Sequence, residues 1–253
     1  MTESATIQQP TQFKILLIGD DCLDVYQFGT VDRISPEAPV PVFKMGEKEE
    51  RPGMARNVKR NLEELGCEVT YISGRTSVKT RLIDSRSKQQ ICRIDDDAIS
   101  VPITFETEIP KRYDAIVISD YNKGSVSYEL IEEVIQTNIP TFIDTKKTDL
   151  ERFQGAWVKI NELEHSKVKT ECSGLIVTLG EKGAKVPYHN IKMPAQKVEV
   201  ADVCGAGDTF LAALTYKWCE TFDIEKAVQF AIKAASITVQ HLGNYAPTLE
   251  EIK

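Results

Sequence analysis

The chain of 253 residues has little histidine, little tryptophan and no long apolar run. Its three histidines, His165, His189 and His241, stand too far apart to suggest a metal cluster. The six cysteines (Cys22, Cys67, Cys92, Cys172, Cys204 and Cys219) show no C-x-x-C or other metal-like spacing. Most lie in apolar company and read as reduced thiols of a cytoplasmic protein. No apolar stretch approaches the ~20 residues of a spanning helix. Residues 1–12 are polar, lack the basic-then-apolar order of a signal peptide, and read as a flexible tail. The net charge of −7 and pI of about 5.2 argue against a nucleic-acid partner and show no basic patch for a membrane surface. A small anionic substrate stays open, because local basic residues decide that. Internal repeats and low-complexity segments are absent.

What is present is an alternation of short apolar strands and amphipathic helices. Phe13–Ile18, Cys67–Ile72, Ala115–Ser119, Thr141–Ile143, Val158–Ile160 and Leu175–Leu179 read as strands. Glu50–Val58 leads into a helix expected to run to Leu65 and stop at Gly66, and another is expected over Ser127–Gln136 with Leu130, Ile131, Val134 and Ile135 on one face. Further helices follow Gly205 and span Ile224–Gln240. This order predicts one α/β domain over residues 13–253, with a mainly parallel sheet and right-handed crossovers. Val31–Lys44 carries three prolines, which exclude a helix or a central strand and permit an edge ribbon. A stiff surface loop fits it as well.

The chemistry concentrates in Asp202-Val203-Cys204-Gly205-Ala206-Gly207-Asp208-Thr209-Phe210. Two glycines before a helix let backbone N–H groups converge on one point, and a helix start attracts anions. Asp208 then stands at the mouth of an anion pocket. A carboxylate there suits a general base that takes the proton of a hydroxyl attacking a phosphate. A Gly-rich turn with Asp208 as a helix cap uses the same residues. Asp24 lies past the first strand, where open α/β sheets bind ligands, and could accept sugar hydroxyls; a solvated turn is the alternative. Gly53 lets backbone approach a ligand, and Asn57 offers donor and acceptor to a polyol.

Gly-Ala-Gly-Asp-Thr-Phe after Asp-Val resembles the C-terminal signature of the ribokinase-like (PfkB) carbohydrate kinases. The stretches Arg33–Val42, Arg51-Pro52-Gly53, Lys79-Thr80-Arg81 and Gln89–Asp95 are similar to the branch that phosphorylates heptose 7-phosphate in lipopolysaccharide precursor synthesis. The resemblance runs over about residues 13–252. It implies a three-layer α/β/α sandwich with a β-ribbon lid over about 31–44 and 79–95, and a homodimer through that lid. It implies ATP as co-substrate, a sugar or sugar phosphate as acceptor, Asp208 as base, and an anion hole from the N–H groups of Gly205, Ala206, Gly207 and Asp208. Asp24, Gly53 and Asn57 would touch the sugar. Lys79, Arg81 or Arg93 would hold a substrate phosphate, since guanidinium forks suit phosphate oxygens. Ser119-Asp120-Tyr121-Asn122-Lys123-Gly124 and Asp144-Thr145-Lys146 match two further family phrases, with Lys146 near the transferring phosphate. Asn161 and Glu164 match Asn-x-x-Glu and would hold Mg²⁺ through water. Thr178, Gly180 and Gly183 fall on the nucleotide-side loop, where a plain hairpin turn is the competing reading.

Three departures stand out. Cys204 occupies a position where the family has threonine. The family's Gly-Gly before Ala-Ala-Asn is Gly53-Met54 before Ala55-Arg56-Asn57 here, which would narrow the sugar pocket or alter its specificity. Relatives also carry a helix and a strand between the segments that end here at Gly74 and restart at Lys79. Only Arg75–Val78 join them, so one α/β unit is missing and the sheet edge is altered. Two alternatives follow from these departures: a kinase for a different sugar or a nucleoside, and a shortened, non-catalytic binding or regulatory homologue.

Overall fold

A computed structural model describes residues 12–253. Most of the residues expected to form a flexible tail lie outside the described residues. The strands are β1 (Lys14–Ile34), β2 (Pro41–Met54), β3 (Glu68–Asp84), β4 (Gln90–Asp96), β5 (Ala115–Asp120), β6 (Thr141–Thr145), β7 (Trp157–Asn161), β8 (Leu175–Thr178), β9 (Ala184–Val186) and β10 (Ile191–Met193). The helices are α1 (Ala55–Glu64), α2 (Tyr128–Gln136), α3 (Glu162–His165), α4 (Ala206–Thr221), α5 (Ile224–Thr238) and α6 (Leu249–Ile252).

All ten strands join one sheet in the order β10-β9-β8-β7-β6-β5-β1-β3-β4, with β2 paired to β1. The pairs from β3 through β8 are parallel, and the hairpins β1/β2, β3/β4, β8/β9 and β9/β10 are antiparallel. The central strands are buried on both faces and therefore read as unbroken apolar runs: Ile15–Ile18 and Ala115–Ile118 are wholly buried. One face is covered by α1, α4, α5 and α6, around Val58, Leu62, Phe142, Leu211, Leu214 and Val228. The other is covered by α2 and neighbouring turns, around Ile18, Ile118, Leu130, Ile131, Val134 and Phe153. Each such side chain contributes about 1.5–3 kcal/mol on burial. Ser127 caps α2 by accepting the Leu130 N–H at 3.0 Å, which fixes where that helix starts. Ala227, Ala231 and Ala234 on α5 let it lie close against α4.

Two strands run longer than the sequence indicates. β1 does not stop at Gly19. It pairs with β5 through Ile15–Gly19, then with β2 from Asp21 onward. The sheet forks there, and the outer halves of β1 and β3, with β2 and β4, form a projecting four-stranded lid. The acidic run that reads as a turn stays in the strand because each carboxylate finds donors. Asp20 accepts N–H groups of Tyr121 (2.8 Å), Lys123 (3.0 Å) and Ser125 (3.3 Å). Asp21 accepts Arg56 Nε at 2.9 Å and Thr76 Oγ1 at 2.7 Å. Arg56 is thus committed to Asp21.

β3 likewise passes without interruption from core to lid through Arg75–Val78. Its inner half, Glu68–Ser73, pairs with β1 alone and forms the edge of the core sheet. The 31–44 segment is the end of β1, a turn over Ser35–Val40 holding two of the prolines, and the start of the edge strand β2. Residues 198–200, ahead of the Gly205 turn, have no regular structure, nor does most of the connector between β4 and β5.

Candidate active site

The fork in the sheet sets the site. β5, β6 and β7 end beside the start of α4, while the lid rises from β1 and β3. Gly205 has φ of 76°, a left-handed conformation that glycine adopts without a Cβ clash, and it turns the chain into α4. The Thr209 N–H returns to Gly205 O at 2.9 Å, and the Ala206 N–H reaches Val203 O at 3.4 Å. The N–H groups of Gly205, Gly207 and Asp208 have no partner among the described residues. Three convergent donors are therefore open at the helix start, not the four expected.

Asp208 lies one turn into α4 and is 6% exposed. Asn57 Nδ2 donates to its Oδ2 at 2.8 Å, and Tyr121 Oη donates to its Oδ1 at 2.9 Å. Burial pushes its pKa up to about 6, with Asp144 also raising it, while Asn57, Lys159 and Tyr121 pull the other way. The Tyr121 hydroxyl is held far above its ordinary range by burial and by Asp208, so it stays a donor. Asn57, expected to meet a polyol, is fully buried, with its Nδ2 on Asp208 and its Oδ1 unpartnered among the described residues.

A polar cavity of about 140 Å³ collects Tyr121, Asp144, Lys146, Lys159, Asn161, Glu164, Gly205, Gly207 and Asp208. Asp144 and Lys159 are register partners on β6 and β7, and Lys159 Nζ donates to Asp144 Oδ2 at 2.7 Å. Burial works against the Lys159 charge, but Asp144, then Asp208 and Glu164, outweigh it and raise its pKa. Asn161 Oδ1 accepts the Glu164 N–H at 2.8 Å, and Glu164 Oε2 accepts the Asn161 N–H at 2.9 Å, a reciprocal cap on α3. Glu164 also pairs with Lys146. Burial would raise the Glu164 pKa, but the Asn161 N–H and Lys146 hold it below the usual value.

A second cavity, about 760 Å³, adjoins the first and shares Gly207. Thr178, Gly180, Gly183, Val200, Val203, Phe210, Ile232 and Ala235 are among its lining. The Gly180–Gly183 turn is a hairpin between β8 and β9, and the same turn forms the cavity rim.

The family model for pfkB family carbohydrate kinases matches residues 116–251. The chain belongs to the pfkB family of carbohydrate kinases. It is 34% identical over 300 aligned residues to the bifunctional protein HldE of a Nitratiruptor species, an alignment that covers 95% of this chain and 64% of that protein. The HldE of Campylobacter jejuni subsp. jejuni serotype O:2 is 31% identical, with 100% of this chain and 66% of that protein covered. The chain thus spans about two thirds, 64–66%, of these relatives' length. The 300-residue alignment also exceeds the 253 residues available here, so the relatives carry residues this chain lacks.

Among solved structures, the ribokinase of Thermotoga maritima superposes with a TM-score of 0.68 at 19% identity, covering 95% of this chain and 98% of that one. A ribokinase of Arabidopsis thaliana, complexed with ribose and ATP, gives 0.69 at 16% identity, covering 96% and 98%. The fold is the ribokinase-like α/β sandwich with a mostly parallel sheet.

On this pfkB-family chain the lid carries the remaining expected residues. Asp24 is 8% exposed and pairs with Arg81 at 2.5 Å. Gly53 lies against Asp24, where a Cβ would meet Oδ2 at 2.5 Å. Lys79 is the register partner of Asp24 and shares a lid face with Arg81. Arg93, opposite Arg81 on β4, is exposed and paired with Asp95 at 2.8 and 2.9 Å. Arg51, which carries no expectation, lies over the Tyr26 ring at 4.6 Å, with Arg81 near the same ring at 5.2 Å. Asn244 ties the lid root down by donating to Pro52 O at 2.8 Å. Met54, where the family has glycine, sits at φ 50°, ψ −134° with its side chain buried. That conformation costs a non-glycine residue on the order of 1–3 kcal/mol.

Tyr121, Asp144 and Arg51 lie in family-like phrases but carry no expected role of their own, and Lys159 lies outside every such phrase. A lysine inside the apolar strand Trp157-Val158-Lys159-Ile160 was the one available signal: a buried charge needs a partner. Among the described residues no group of three or more His, Cys, Asp or Glu is arranged to hold a metal ion. The hard oxygen donors near Lys146, chiefly Glu164, fit Mg²⁺ only with most of its waters retained.

Proposed function

We propose that this chain uses ATP to phosphorylate a sugar phosphate, with heptose 7-phosphate as the first substrate to test and the 1,7-bisphosphate as product. One observation carries the reading. A buried, high-pKa carboxylate and three open N–H donors line a small polar cavity that joins a larger, mostly apolar one at Gly207. The larger cavity suits a nucleotide base and ribose, and the junction suits the γ-phosphate.

In this reading the sugar hydroxyl approaches from the lid side. Asp208 takes its proton as the oxygen attacks the γ-phosphorus. The Gly205, Gly207 and Asp208 N–H groups hold the phosphate oxygens. Asn57 and Tyr121 each hold one oxygen of Asp208, which fixes its orientation and leaves lone pairs for the proton. Glu164 and Asn161 would hold hydrated Mg²⁺, which supplies positive charge to the nucleotide phosphates. Thr178, Gly180 and Gly183 bound the nucleotide, and Lys146 stands at the rim of the smaller cavity.

The substrate class rests on the lid and on the HldE relatives. Arg51, Lys79 and Arg81 put three cations around Tyr26 and Asp24, and fixed guanidinium groups favour a phosphorylated acceptor over a neutral sugar. Arg93 would join them by leaving Asp95. A homodimer through the exposed strands β2 and β4, and residence in the cytoplasm, belong to the same proposal. A different sugar is favoured by one observation: Met54 and Arg56, the latter paired with Asp21, stand where the family has small residues. The test is ADP release from ATP and Mg²⁺ across heptose 7-phosphate, fructose phosphates, ribose and adenosine. Turnover confined to neutral sugars or nucleosides would reject the sugar-phosphate reading.

A further inference from the structure

Two lysines line the small cavity, in different settings. Lys146 is 42% exposed, pairs with Glu164 at the rim and lies 5.3 Å from the Tyr121 ring centroid. Lys159 is 4% exposed and lies at the floor, between Asp144 and the first turn of α4. A Cβ placed on Gly207 would come within 2.8 Å of Lys159 Nζ. The ammonium therefore sits directly under the backbone that opens its N–H groups to the cavity. It carries three donors, and among the described residues only Asp144 takes one.

A lysine that served only to neutralise Asp144 could be buried anywhere along the strand. This one lines the cavity that holds Asp208. The surroundings also argue for a third negative partner beyond the resident carboxylates. Asp144 is matched by Lys159 and Glu164 by Lys146. Asp208 is bound by neutral donors only. A cation with two spare donors beside three open backbone N–H groups is arranged for an incoming anion.

We propose that Lys159 is a catalytic residue of phosphoryl transfer, anchored by Asp144 so that its ammonium donates to oxygens of the transferring phosphoryl group. The inference rests on the kinase reading above and deepens it. As the sugar oxygen bonds to the γ-phosphorus, the bond from that phosphorus to the β,γ-bridging oxygen breaks. Its electron pair leaves on ADP, and the hydroxyl proton goes to Asp208. Lys159 stays protonated throughout and acts by its charge, already in place before the reaction starts.

The test pairs Lys159→Met with Asp144→Asn. The single Lys159→Met variant strands Asp144 and can fail to fold, so the double variant, which removes both charges at similar volume, is decisive. The expected result is a folded double variant with kcat down about 10²-fold, the size typical of losing one stabilising donor, and little change in either KM. Wild-type kcat in the double variant would overturn the proposal, leaving Lys159 as a mere neutraliser of Asp144.

Absence of turnover in the wild type would count against the kinase reading, and binding then judges Lys159 separately. Calorimetry would compare ADP alone with ADP plus aluminium fluoride, a mimic of the transferring group. Lys159 acting as proposed makes the double variant lose about 10²-fold in affinity for ADP–aluminium fluoride but not for ADP. Equal effects on both, or no binding of either by the wild type, would overturn it.

Discussion

Asp208 is costly to keep charged, and that cost is measurable apart from any activity. Its pKa is about 6 in the folded chain against 3.8 for the unperturbed group, chiefly because it is buried. About 2 units at 1.36 kcal/mol each make roughly 3 kcal/mol by which the ionised group destabilises the fold at neutral pH. The folded state binds more protons than the unfolded state between these two values. Stability from this group is therefore highest below pH 4 and is lost as pH rises through about 6. Asp208→Asn lacks the titration. Relative to wild type, the Asn variant should gain about 2 kcal/mol between pH 4.5 and pH 8, most of it below pH 6.5. Urea unfolding of both proteins across that range is the assay, and the shared acidic groups cancel in the difference. A stability difference flat with pH would refute the buried-carboxylate argument. The same titration predicts that wild-type kcat falls below about pH 6, where the base is protonated.

Other predictions follow from the same geometry. Gly207→Ala should favour α4 by up to about 1 kcal/mol, since alanine is the better helix former, yet lower kcat on the order of 10²-fold because its Cβ displaces the Lys159 ammonium. Thermal melts and steady-state rates on one preparation check both signs, and an unchanged kcat would contradict the placement of Lys159. Arg81→Met should raise KM for a phosphorylated sugar about 10–100-fold, the worth of a lost charge-assisted hydrogen bond. KM for the unphosphorylated sugar should move far less, and equal changes would remove Arg81 from phosphate binding. The Lys159→Met, Asp144→Asn double variant should turn over about 10²-fold more slowly at nearly unchanged KM.

The sequence disclosed much of the frame because local signals coincide with the elements. Apolar runs marked the buried central strands, Ser127 and Gly66 marked helix ends, and Gly-Ala-Gly-Asp marked the start of α4. It concealed the continuity of β1 and β3. Asp20, Asp21 and Asp24 carry the composition of a turn, and only partners as distant as Arg56, Arg81 and Ser125 keep them in a strand. The cavity residues were half legible for the same reason. Asp208, Asn161, Glu164 and Lys146 lie in recognisable phrases. Tyr121 reaches Asp208 across 87 residues, and Asn57 does so across 151. No local pattern reports such pairings: the sequence marks Asn57 as a polar group for a polyol and gives no sign that its amide also donates to Asp208. Lys159 and Asp144 are likewise 15 residues apart, joined only by the parallel register of β6 and β7.

The central claim is that Asp208 at the Gly205 turn drives phosphoryl transfer to a sugar phosphate. The most direct measurement is ADP release with ATP, Mg²⁺ and heptose 7-phosphate, for wild type and Asp208→Asn side by side. The account predicts turnover by wild type, a loss of at least about 10²-fold in the variant, and undiminished binding of ATP by both. Equal turnover by the two proteins, or none by wild type on any sugar phosphate while ATP still binds, would contradict it.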